Sequence, residues 1–179
     1  DTFHVDMDAQ ETDKGPYPYY MLKEVDEQPN VMRKLAALYT EESGKPTIDQ
    51  TLIDSLNDAD RIYIVGAGTS YHAGLVGKKL FEKLAHVPTE VHIASEFAYD
   101  DPLLSKKPFF IREATYTMLL HAGPEISVAS TKAYTAQIAV EAILAKALGE
   151  AKEQTIAEDF DIRQQLGLVA TGMQAIIDE

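Results

Sequence analysis

The sequence predicts an α/β domain built on an open sheet of parallel strands, and three observations carry that reading. Short β-branched and aromatic runs alternate with longer segments of helical period, the pattern of strand–crossover–strand units. The clearest run, Arg61-Ile62-Tyr63-Ile64-Val65, stops at Gly66 and is followed by a helical segment, as a buried parallel strand would be. The chain's 179 residues suffice for one domain with a core of ordinary size.

Residues 1–18 are acidic, aperiodic and broken by Gly15, Pro16 and Pro18; they read as a linker or the tail of a preceding domain. A start at Asp1 rather than Met agrees with a piece of something longer. The domain proper is expected over residues 19–179. Helical signals begin near Tyr19, with Met21, Val25 and Gln28 on one face, and Pro29 is expected to open a second helical run through Leu38. After a loop from Glu41 to Pro46, Thr47 is expected to cap a short helix carrying Ile48, Leu52, Ile53 and Leu56.

Following the strand at 61–65, Ser70 is placed to cap a helix reaching about Ala85. Glu90–Ala94 is a second strand, and Ser95–Tyr99 starts a short helical turn. Phe109-Phe110-Ile111 is a third strand and Ala114–Leu120 a fourth. A long helix is expected from about Ser130 to Leu148, then helical segments to Glu179 weakened by Gly167 and Gly172.

One junction conflicts with the parallel sheet. Ile111 runs into Arg112 with nothing between two expected strands, whereas parallel neighbours need a crossover of a dozen or more residues. Either the two strands form a continuous or irregular pair, or a βαβ-sized segment of roughly 30 residues is absent there. Absence is the favoured reading.

Composition removes several function classes. Without cysteine there is no disulfide, thiolate metal site or cysteine nucleophile, which suits a cytoplasmic protein. A formal charge of −13 and scattered basic residues argue against nucleic acid. No stretch approaches the roughly 20 apolar residues of a membrane helix. His72, His86, His92 and His121 make no metal-ligand spacing and read as surface or core histidines, so no metal site is expected.

Two loops could carry chemistry. Gly66-Ala67-Gly68-Thr69-Ser70 lies between a strand and a helix. Its glycines permit a tight turn and close backbone approach, the helix start supplies free amides, and Thr69 and Ser70 add hydroxyl donors. That set suits a phosphate. Tyr71 breaks the dinucleotide fingerprint, a Walker lysine is missing, and a tight turn capped by Ser70 with no ligand stays open. The second loop, Gly123–Lys132, follows a strand and precedes the long helix, with Ser130 placed as its cap and Thr131 in its first turn. Both loops fall at the carboxyl edge of the sheet, where open α/β folds bind ligands. Glu96 and Glu125 are the nearest carboxylates, each able to orient a sugar hydroxyl or simply to cap or face solvent.

The runs Gly66–Tyr71, Ile93-Ala94-Ser95-Glu96-Phe97 and Glu125–Thr135, together with Tyr20–Pro29 upstream, resemble the glutamine–fructose-6-phosphate aminotransferase (isomerizing) family. The likeness covers nearly the whole chain in order. It implies a flavodoxin-like three-layer α/β/α sandwich, the sugar isomerase (SIS) fold, here the first of two copies in an isomerase domain. It implies that Thr69 and Ser70 contact a sugar phosphate, supported by Gly66 and Gly68, and that Val128, Ala129 and Ser130 border the sugar of fructose 6-phosphate or glucosamine 6-phosphate. The family's Ser-Gln-Ser-Gly-Glu-Thr phosphate loop should lie between Ile111 and Arg112 and is missing, along with a helix and strand. The family's acid–base residues lie in the second SIS copy, so no catalytic residue, metal or cofactor is expected here, and the chain alone is expected to be inactive. A homodimer is implied by analogy. A noncatalytic phosphosugar-sensing SIS module is the alternative.

Overall fold

Alternating apolar runs give the computed structural model its frame; it describes residues 13–100, 102–111 and 118–179. In chain order the elements are α1 (Tyr20–Tyr39), α2 (Gln50–Asp58), β1 (Arg61–Gly66), α3 (Thr69–Leu80) and a π-helical turn (Phe81–Ala85). They continue with β2 (Thr89–Ile93), α4 (Ala94–Asp100), β3 (Pro108–Ile111), α5 (Lys132–Ala151), α6 (Thr155–Glu158) and α7 (Ile162–Ile177). The sheet order is β2-β1-β3, all parallel, with Ile62 opposite Thr89 on one side and Phe109 on the other.

Three layers result because β1 is buried on both faces. Ile62 and Ile64 join the main core, where Gly74 of α3 comes so close that a Cβ would sit 2.7 Å from Ile64 Cγ2. Tyr63 turns to the opposite face, stacked on Phe110 at 5.3 Å, while Phe97 of α4 meets both Phe110 and His92 edge-on. The sheet thus lies between the large helices and the short α4.

Helix α5 is the pillar of the core. Every residue from Ala139 to Leu148 is buried, because α1, α2, α3, the π-helical turn, α6 and α7 all pack on it. Only Glu141 and Lys146 interrupt that apolar stretch, and a helix apolar on nearly every side belongs in an interior. Fully buried Ile143 and Leu148 each contribute about 2 kcal/mol by leaving water. At its end, Gly149 lets the backbone pass where a Cβ would lie 2.4 Å from the Leu84 carbonyl.

Several expectations are corrected. The two helical runs around Pro29 are one helix with Pro29 inside it; the Val25 carbonyl that Pro29 cannot bond lies 3.5 Å from the Gln28 side-chain amide. Its buried face carries Glu24, Met32 and Leu35 rather than Met21, which is exposed. The α2 cap is Asp49, whose carboxylate accepts from the Thr51 and Leu52 amides at 2.8 and 3.3 Å; Thr47 instead bonds Tyr39. Of the expected fourth strand, Ala114–Leu120, residues 114–117 lie outside the described ones, and Met118–Leu120 form no strand. Leu119 is held there by the Tyr39 hydroxyl.

Candidate functional site

Both loops singled out from the sequence stand at helix starts on the carboxyl side of the sheet. The first continues from β1. Gly68 takes φ +55°, a left-handed value that suits glycine, and nothing lies within 4 Å of where its Cβ would be. Gly66 is needed for close packing, since a Cβ would lie 3.0 Å from the Tyr71 amide nitrogen. Thr69 is exposed at the first position of α3. Ser70 is not a cap. It lies inside the first turn, and its hydroxyl receives a hydrogen bond from the Gln137 side chain of α5 at 3.0 Å.

Two carboxylates shape the second loop. Glu125 accepts from the Ser130 hydroxyl at 3.0 Å and from the Thr131 and Ala133 amides at 2.8 and 3.1 Å. The cap of α5 is therefore Glu125, with Ser130 turned toward it. Glu24, almost wholly buried on α1, accepts from the Ile126 and Ser127 amides at 2.7 and 3.0 Å and from the Ser127 hydroxyl. Burial pushes the Glu24 carboxyl up, but the Ser127 hydroxyl, these two amides and the Lys132 charge hold it below the usual range. Buried Lys132 reaches Glu27 of α1 at 2.5 Å. So fixed, the loop leaves Val128 and Ala129 exposed and Ser130 partly so.

The structure therefore puts Thr69 and Ser70 on α3, and Val128, Ala129 and Ser130 before α5, at the starts of two helices that pack together. The hydrogen bond from Gln137 to Ser70 joins them. Glu96 is exposed on α4 and bonded by the Ser95 hydroxyl. A cavity of about 280 Å³ lies between α1 and the two ends of the second loop, lined by Glu27, Val31, Lys34, His121, Gly123 and Lys132 among others, but by none of the five proposed contact residues.

Sequence reasoning missed Glu24 and Gln137. Their partners lie 103 and 67 residues away, so no local pattern shows them. The only local sign is a polar residue within an otherwise apolar helical face.

The SIS domain family matches residues 55–111, ending on the last residue of β3. The chain is 58% identical to glutamine–fructose-6-phosphate aminotransferase [isomerizing] of Lactiplantibacillus plantarum, over 99% of this chain and 35% of that protein. It is 48% identical to the like-named protein of Oceanobacillus iheyensis, again over 99% and 35%. Among solved structures, the C-terminal domain of glucosamine-fructose-6-phosphate aminotransferase from Francisella tularensis superposes with TM-score 0.73 at 26% identity, covering 93% of this chain and 56% of that one. The chain thus spans about a third of the length of the curated relatives it matches. The first alignment runs over 214 positions against 179 residues, so at least 35 positions have no counterpart here. That is the size of the helix–strand unit expected to be missing after Ile111.

Proposed function

Since the chain belongs to the glutamine–fructose-6-phosphate aminotransferase [isomerizing] family and carries its SIS domain, we propose that it is the sugar-phosphate-binding subdomain of such an enzyme. The observation that carries this is the joined pair of helix starts: a glycine loop with open space at Gly68, and a second loop clamped by Glu24 and Glu125, linked through Gln137 and Ser70. The start of α3, which carries no side-chain cap, can bind an anion through its amides, and this would account for phosphate affinity in a chain of charge −13; the amides at the start of α5 are taken by Glu125. Thr69 and Ser70 contact the phosphate of fructose 6-phosphate or glucosamine 6-phosphate; Val128, Ala129 and Ser130 border the sugar; Gly66 and Gly68 support the phosphate loop.

The SIS domain extends over residues 19–179, with residues 1–18 linking it to a preceding domain. The whole enzyme would aminate fructose 6-phosphate with ammonia from glutamine and isomerise the product, steps of general acid–base chemistry. This chain supplies substrate positioning and no catalytic group, works in the cytoplasm and pairs as a homodimer. Among the described residues no helix is long and apolar enough to cross a membrane.

Phosphorus NMR titration of fructose 6-phosphate tests the reading. Saturable binding that Ser70→Ala weakens is expected. No binding at millimolar ligand, or binding that ignores Ser70→Ala, overturns it.

A further inference from the structure

We infer that Gln137 is a positioning residue that fixes the direction of the Ser70 hydroxyl proton. A serine hydroxyl has one donor hydrogen and two acceptor lone pairs. The Gln137 Nε2 donates to Ser70 Oγ at 3.0 Å and occupies one of those lone pairs. The hydrogen of Ser70 must then point elsewhere, and an acceptor-only phosphate at the start of α3 is the partner it suits. A free rotor would spend part of its time turned away. This one is held.

Gln137 is itself committed. It sits in the second turn of α5, and its Oε1 is buried with no hydrogen-bond partner among the described residues. A buried amide with one unmet oxygen is costly, and such a cost at a ligand-facing hydroxyl marks a functional arrangement. The geometry also ties the two loops into one device, since α5 starts at the Val128–Ser130 loop and α3 at the Gly66–Ser70 loop. A shift of either helix start would move the hydroxyl away from its ligand.

The inference rests on Ser70 being a phosphate contact, and a double-mutant cycle separates the two claims. The probe is fructose 6-phosphate followed by phosphorus NMR, with urea midpoints recorded for every variant to separate loss of fold from loss of binding. Gln137→Met keeps the side chain's shape and removes the donor; it is expected to weaken binding about fivefold, the worth of one hydrogen bond. Gln137→Glu is expected to weaken it further, because a carboxylate accepts the Ser70 proton and sets a negative charge beside the phosphate. In a Ser70→Ala background, Gln137→Met should cost nothing more. No saturable binding by the unaltered chain overturns the site and this inference together. If the chain binds and Ser70→Ala weakens it, then equal losses from Gln137→Met with and without Ser70, or no loss at all, overturn the inference alone.

Discussion

Glu141 on α5 is a buried carboxyl whose replacement should stabilise this protein at neutral pH. It is 7% exposed, its Oε2 has no hydrogen-bond partner among the described residues, and a Cβ on Gly77 of α3 would lie 2.4 Å from that oxygen. Burial pushes its carboxyl from 4.5 up to about 7, with the Gly77 amide offsetting a part. Below the unfolded value the group is protonated in both states and adds nothing to the pH dependence. As pH rises from 4.5 toward 7 the unfolded chain ionises first, so stability falls across that window and levels off above it. At about 1.4 kcal/mol for each tenfold change, the loss by pH 8 is about 3 kcal/mol. Glu141→Leu should remove it, and Glu141→Gln should flatten the same pH window with a smaller gain. Urea unfolding at pH 5 and pH 8 measures both. If Glu141→Gln keeps the full fall in stability between those pH values, the buried-carboxylate argument is wrong.

Three further outcomes follow from the same contacts. Glu24 works in the opposite sense: its folded carboxyl lies below 4.5, so its contribution is present above that value and lost as pH falls; Glu24→Gln should weaken the acid-side fall, read by melts from pH 3 to 6. Glu125→Ala should cost about 1 kcal/mol by uncapping α5 and should also weaken fructose 6-phosphate binding, since Ser130 loses its partner; an unchanged melting midpoint would count against the cap. Inserting the relatives' crossover unit of about 30 residues after Ile111 should raise sugar-phosphate affinity at least about tenfold, because further amides and hydroxyls join the edge; equal affinity by titration would show that the segment adds nothing to binding.

The sequence alone was enough for what depends on neighbours along the chain. Strands β1, β2 and β3 and the long α5 were legible because strand propensity and helical period are local, and the Gly66–Ser70 turn was legible because glycine spacing is local. The conflict at the Ile111–Arg112 junction was legible too, since parallel neighbours need a crossover, and the surplus positions in the relatives' alignment agree with an absent unit in size. Caps were read less well. Ser70, Thr47 and Ser130 each had a capping residue type, but Asp49 holds the start of α2, Glu125 holds that of α5, and α3 follows Gly68 with no side-chain cap; the choice among nearby oxygens turns on a rotation or two of backbone that composition does not encode. Only the tertiary structure decided that Glu24 is a buried clamp, that Gln137 holds Ser70 and that the Glu141 carboxyl is buried against Gly77. Each of these depends on which helix face meets which, and that is settled by packing across more than sixty residues of chain.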